Sequence, residues 1–292
     1  GEEEVIAALS GALLTLATAW ALGSLSLRGV RVPRPLALAV GAAVLSAAVF
    51  LLLLAGAANR YTFLALSAAA VGFAWRFRIR RPPEPAGKPA PRAARYFAGA
   101  FFAAYGVLYL VHALAPEVQP DGIAYHLGLV AEYFRLGRFP ARIGFYEMVP
   151  QGMEMLFLHA FAFGGAAAAK LVHLALFVAT VPLMVRAGRR LSLPDAVSLP
   201  AAALYFCAPV AGLTATSTYN DAALVFFVVA AFYALLEWRE TRANIWLAAA
   251  GLTAGFCYAI KLPGGIVPAA AALFVLVSGG GRALLVFGAA AL

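Results

Sequence analysis

"PDGIAYHLGLVAEYFRLGRFP", Pro120 to Pro140, crowds two acids, a histidine, two tyrosines and two arginines into a short stretch between long apolar runs. Asp121 follows a proline and opens a helical pattern in which Ile123, Leu127, Val130 and Phe134 recur at i, i+4, i+7 and i+11. That spacing lines one side of a helix with apolar groups and puts Tyr125, Glu132 and Arg135 on the other. Gly137 supplies a C-terminal stop. The prediction is an amphipathic helix lying flat on a membrane surface, with Asp121 at its N-terminus, level with the headgroups. The ordinary role of Asp at a helix start is N-capping, which stabilises by about 1 kcal/mol. Capping does not exclude chemistry.

The surroundings of this stretch decide the class. Hydrophobic residues make up 64% of the 292-residue chain and charged residues 12%, with a mean hydropathy of +0.87. A water-soluble core cannot bury that much apolar surface, whereas a bilayer accepts spans of about 20 apolar residues each. The formal charge of +9 would suit nucleic acid, but arginines placed between apolar spans mark the cytoplasmic side of a membrane, so no nucleic-acid partner is expected. Cys207 and Cys257 both fall inside apolar runs, which leaves no disulfide framework and no metal-ligand spacing. Val5–Leu27 is too long for a signal h-region and follows three glutamates, so no cleavable signal is read there. Ending inside an apolar run, the chain is expected to be a fragment.

The runs are Ala- and Leu-rich without period-two alternation, so the fold class is all-α, a polytopic transmembrane helical bundle. Candidate spans are Val5–Leu27, Pro35–Ala57, Tyr61–Trp75, Tyr96–Leu114, Ala166–Val185, Val197–Ala215, Ala222–Leu236, Ile245–Ile260, Ile266–Val277 and one begun at Ala283, about nine to ten in all. Met153–Phe163 is too short to span and is expected at the interface. Alternating sides along these spans puts sixteen of the 22 basic residues on one face, which the positive-inside rule makes cytoplasmic. The N-terminus and Pro120–Pro140 then lie outside. Three parts follow: a three-span N-terminal extension, 1–75; a basic, Pro-rich cytoplasmic linker, 76–95, near anionic headgroups; and a core, 96–292.

The outer face collects Glu117, Asp121, Glu132, Glu147, Glu154 and Asp221, with all four histidines in outer loops or near outer helix ends. Asp221 opens a span directly after Asn220, which competes with it for the N-cap. Asp121 and Asp221 are candidate ligands of a shared divalent cation, Mg²⁺ or Mn²⁺, because hard oxygen donors suit those ions. His126 reads either as an interfacial histidine or as a ligand. Lys261, where a span reaches the outer face, either snorkels or binds a phosphate leaving group; Lys170 offers the same choice within a span. Glu147 and Gln151 complete the candidate substrate-binding set.

In order, "PDGIAYHLGLVAEYFRLGRFP", "VPQGMEMLFLHAFAFGGAAAAKLVHL", "YNDAALVFFVVAAFYAL" and "GLTAGFCYAIKLPGG" resemble integral-membrane glycosyltransferases of the GT-C fold. They look most similar to the group of protein O-mannosyltransferases and lipid A aminoarabinose transferases, over roughly Tyr96 to Val277. The resemblance implies a GT-C-like core in the bacterial inner membrane. It also implies transfer of a sugar from a polyprenyl-phosphate carrier to an acceptor glycan, lipid or protein outside that membrane. The family's acid in the first large outer loop matches Asp121, its acid at a later outer helix start matches Asp221, and Lys261 resembles a family lysine at an outer helix end. Tyr125 and His126 match a "YHL" variant, where many members carry paired acids. One carboxylate acting as base, with inversion at the sugar carbon, suffices for so activated a donor, and Asp121 is the candidate.

The competing class is a transporter or lipid-handling membrane protein. Transporters place ionisable groups at the bilayer midplane near broken helices. Here most sit at outer ends, and Lys170 and His173 are the exceptions.

Overall fold

The computed structural model describes residues 1–77 and 91–292. The linker expected at 76–95 falls largely outside them. Every regular element among the described residues is helical: α1 (Glu2–Ser26), α2 (Arg34–Leu54), α3 (Arg60–Arg76), α4 (Arg92–Leu114), α5 (Leu127–Leu136), α6 (Gly152–Arg190), α7 (Asp195–Cys207), α8 (Pro209–Ala215), α9 (Asp221–Thr241), α10 (Asn244–Ile260) and α11 (Ile266–Ala291). In hydrocarbon a backbone must satisfy its own polar groups, and helices do so within one segment.

Six helices are long and apolar enough to cross a membrane, or seven if α7 and α8, bent by 64°, form one span. The sequence reading of nine to ten spans is not reached by this measure. The shortfall comes from short pieces: α3 and α10 have 17 residues each, and the last two expected spans count together as α11, which breaks between them at Gly280 with φ 72° and ψ −174°. The chain is a helical, multi-pass membrane protein.

Small residues draw the backbones together. On α1, Ala19 and Gly23 stand four apart and face Ala37 and Gly41 on α2. A Cβ on Gly23 would collide with the Ala37 carbonyl, and one on Gly41 with the Ala19 carbonyl. Gly251 and Gly255 of α10 meet the Phe287 and Ala291 carbonyls of α11 in the same way. Such seams let van der Waals contact hold helices where lipid removes the hydrophobic drive. One apolar core runs through α1, α2, α6, α9 and α10, so the first three helices share it with the rest. Buried polar ties reinforce this: His159 of α6 lies 2.9 Å from Thr15 Oγ1 on α1 and 3.2 Å from Ser67 Oγ on α3.

Gly165 breaks α6 with φ 65° and ψ −159°. The first half, expected at the membrane interface, is instead sealed inside the protein: Met153, Met155, Phe157 and Leu158 are all at most 1% exposed. Apart from Glu154 and His159 its sequence is apolar, and a helix without a continuous polar face belongs in a core. At the end of the bundle away from Asp121, Arg189 clamps Asp195 at 2.8 and 2.7 Å and Arg190 meets Glu237 and Glu240.

Gly41→Ala should lower the melting temperature in a thermal-shift assay, at a cost of about 1–3 kcal/mol for overpacking. Gly72→Ala on α3, where an added Cβ meets nothing within 4 Å, should not.

Candidate functional site

Pro120–Pro140 does not form the uniform helix its spacing suggested. Gly122–His126 winds as one π-helical turn, with the Leu127 amide bonded to the Gly122 carbonyl, before α5 begins. The extra residue in that turn moves the buried face. Val130 is sealed, but Ile123, the first member of the expected stripe, is exposed, and His126, Leu129 and Tyr133 take the inward side. Such turns concentrate at functional sites because they re-aim side chains. α5 stops where expected, at Gly137 with φ 65°. It does not lie free on a surface: it packs on the first half of α6, and the Tyr133 hydroxyl donates to Gln151 Oε1 at 2.8 Å. Burial pushes the Tyr133 phenol up to about 12.

Asp121 stands at the head of the π turn, exposed, and its side chain caps nothing. The segment leading into the turn is tied to the α8–α9 loop by Glu117. One carboxylate oxygen of Glu117 accepts from the Thr218 amide at 2.8 Å and hydroxyl at 3.0 Å; the other accepts from the Val118 and Gln119 amides. Gly122 crosses directly over this knot, where a Cβ would lie 2.7 Å from Thr218 Oγ1 and 2.9 Å from the Glu117 carboxyl carbon.

Asp221 is also released from capping. His173 Nδ1 donates to the Ser217 carbonyl and its Nε2 accepts the Ala223 amide of α9, each at 3.0 Å, so an imidazole from α6 satisfies an orphan amide of the α9 N-terminus. Asn220, the residue before the helix, donates to the Ile260 carbonyl. Asp221 therefore points away and pairs with Lys261 Nζ at 2.7 Å, both side chains nearly half exposed.

Two tyrosines feel both acids. Tyr125 stacks flat on Tyr146, centroids 4.6 Å apart and planes within 2°. Its phenol is pushed up by burial first and then by Asp121, Glu154, Tyr146 and Asp221. The Tyr219 phenol is raised by burial and then by Asp121, Glu117 and Asp221. Asp121 and Asp221, a hundred residues apart in sequence, thus bear on the same two hydroxyls. Under Tyr125 lies a buried pair, His126 Nδ1 to Glu154 Oε1 at 2.5 Å.

The remaining candidates divide. Lys170, 2% exposed, donates to the Ala115 and His112 carbonyls and so caps the C-terminus of α4. With His173 also spent on backbone, neither mid-span group is offered to a passing ion. Glu147 and Gln151 border a cavity of about 780 Å³ walled by α2, α10, the end of α11 and the loop before α6; Phe50, Phe139, Phe256 and Leu262 are among its apolar lining. For the expected divalent cation, the protein offers the two acids. Among the described residues no group of three or more His, Cys, Asp or Glu is placed to bind a metal, and one Asp221 oxygen already faces Lys261. Mg²⁺ is usually held by one or two carboxylates, with water and substrate phosphate completing its octahedron, so Asp121 and Asp221 could supply only that protein share.

Sequence reading named Asp121, Asp221 and Lys261 but gave no role to Glu117, Tyr219 or the caps from Lys170 and His173. A polar residue inside an apolar run was the signal available for the caps; the helix end it serves was not.

Residues 153–289, a little under half of the chain, match the family model described as dolichyl-phosphate-mannose-protein mannosyltransferase. No curated protein and no solved structure gives a significant match. The matched segment begins inside α6 and carries Asp221 and Lys261; Asp121, Tyr125 and His126 precede it. The match supports a membrane glycosyltransferase of the GT-C class.

Glu117→Ala should free the π turn and the α8–α9 loop while leaving the bundle folded. Hydrogen exchange should speed up at 117–126 and 217–219 with α1 and α2 unchanged.

Proposed function

We propose that the protein transfers a sugar from a polyprenyl-phosphate donor to an acceptor hydroxyl of a glycan, lipid or protein. Transfer takes place at the extracytoplasmic face of the bacterial inner membrane, with inversion at the sugar carbon and Asp121 as the base. The observation that carries this reading is the state of Asp121: an exposed carboxylate with no hydrogen-bond or ion-pair partner among the described residues, beside a second acid already matched to a lysine. A general base must have a free lone pair within reach of the proton it takes. The nearby Glu117 and Lys261 are engaged elsewhere, Glu117 with the Thr218, Val118 and Gln119 amides and Lys261 with Asp221.

The chemistry asks for three things. The acceptor oxygen forms a bond to the sugar carbon from the side opposite the phosphate, and Asp121 takes its proton. The bond from that carbon to the phosphate oxygen breaks, and its electron pair stays on the phosphate. Lys261 meets the developing charge; its contact with Asp221 keeps the ammonium at the rim until the phosphate arrives. Tyr125 and His126 border the sugar, and both phenols near the acids remain neutral donors because burial and the carboxylates disfavour phenolate. The apolar cavity beside Glu147 and Gln151 supports a lipid-linked donor, since its walls suit an isoprenoid chain and its lining includes Leu262, next to Lys261 in sequence.

The orientation rests on the arginines gathered at the opposite end, by the positive-inside rule. Asp121 and Asp221 could bridge Mg²⁺ or Mn²⁺ only with ligands drawn from phosphate and water, and no step above requires that ion. Lys170 and Gln151 serve the site as ties rather than as contacts to substrate.

With a polyprenyl-phosphate sugar supplied to protein in lipid nanodiscs, Asp121→Asn should lower kcat by about 10²–10⁴-fold, the range for a lost general base, at an unchanged melting temperature. Retention of wild-type transfer by that variant would remove Asp121 from the mechanism. Transfer should also persist in excess EDTA; loss on chelation and recovery with Mn²⁺ would restore the bridging cation.

A further inference from the structure

Glu154 is 2% exposed and lies in the apolar first half of α6, flanked by Met153 and Met155. Its Oε1 meets His126 Nδ1, while Oε2 is sealed from solvent and has no hydrogen-bond partner. A carboxylate placed there only as a structural tie would satisfy both oxygens, because an unpaired buried oxygen is costly. The other ring nitrogen of His126 gives the arrangement its sense. Nε2 also lacks a protein partner among the described residues, yet it is not one of the sealed polar atoms, so it keeps contact with the space outside the core. The ring lies 4.1 Å from that of Tyr125 and 6.3 Å from that of Tyr219, the two tyrosines on which Asp121 and Asp221 act. The π turn completes the geometry, turning His126 inward onto Glu154 while Asp121 at its head stays exposed.

We propose that Glu154 is a positioning residue for His126: by accepting the Nδ1 proton it fixes tautomer and ring, so that Nε2 faces the transfer site and accepts a hydrogen bond from a substrate hydroxyl. This rests on the transferase reading for its substrate. The carboxylate–imidazole logic is general: the group held at one ring nitrogen dictates what the other can do. The hydroxyl belongs either to the donor sugar or to the acceptor, and both present the same chemistry to Nε2.

The test uses wild type, Glu154→Gln, Glu154→Ala, His126→Asn and the double variant His126→Asn/Glu154→Ala in nanodiscs. Without substrate, ¹⁵N-histidine NMR, assigned through His126→Asn, should find Nδ1 of His126 protonated in the wild type and that preference lost in Glu154→Ala. With substrate, Glu154→Ala should lose about 10–100-fold in kcat/KM, as second-sphere changes do. Glu154→Gln, which keeps an acceptor oxygen, should recover most of it. The double variant should be no worse than the single ones, because the two residues act as a unit. A rise in KM for the donor identifies a sugar hydroxyl, and a rise in KM for the acceptor identifies the acceptor's. Protonation at Nε2 alone in the wild type, or additive losses in the double variant, would overturn the proposal. Should Glu154→Ala fail to fold, the wild-type tautomer and the Glu154→Gln kinetics still decide it. Absence of transfer by the wild type would sink the transferase reading, leaving the NMR arm to judge the pair.

Discussion

The hydrogen bond from the Ala223 amide to His173 Nε2 governs what Asp221 is free to do. An amide at the start of α9 needs an acceptor, and the sequence offers Asn220 and Asp221 on the spot. An imidazole arriving from the middle of α6 takes that work, with its own Nδ1 proton held by Ser217. Asp221 is then left for Lys261. The same division recurs around the site: Glu117 ties the segment before the π turn to Thr218, and Lys170 closes the end of α4. Groups that stabilise are drawn from inside the bundle, and groups that remain available stand at its rim.

That arrangement depends on backbones close enough to reach one another. The Ala19/Gly23 and Ala37/Gly41 seam between α1 and α2, and the Gly251/Gly255 seam between α10 and α11, bring main chains into direct contact. α2 and α10 form walls of the apolar cavity, and the closely held α6 carries Glu154, Lys170 and His173. The N-terminal helices act on the site through packing: α1 and α3 clasp the first half of α6 through His159, and Arg60 of α3 reaches the Ala162 carbonyl and the Phe134 ring. A segment read as an extension thus helps hold the helix on which the buried acid sits.

The family match and the geometry bear on the site from separate directions. The family match covers the segment that supplies Asp221 and Lys261, while the proposed base, Asp121, lies before it. What joins the two is the pair of phenols on which both acids act. With Asp221 matched to lysine and Asp121 unmatched, two residues of the same type stand in different environments, the condition under which carboxylates can take different roles.

Much was legible in the order of residues alone. Apolar runs without alternation dictate helices in a membrane, because no other backbone closes its hydrogen bonds there, and acids at helix starts pointed to Asp121 and Asp221. Three things were not. The π turn moved the inward face of the first loop from Ile123 to His126, since the 3.6-residue period used to read it fails wherever one residue is added to a turn. The first half of α6 was legible as too short to span but not as buried, because an apolar helix looks the same to lipid and to protein. Which polar groups are consumed and which are free was decided by tertiary contact: a cap or an ion pair joins residues tens of positions apart, and only the folded chain brings His173 to α9, Lys261 to Asp221 and Glu154 to His126.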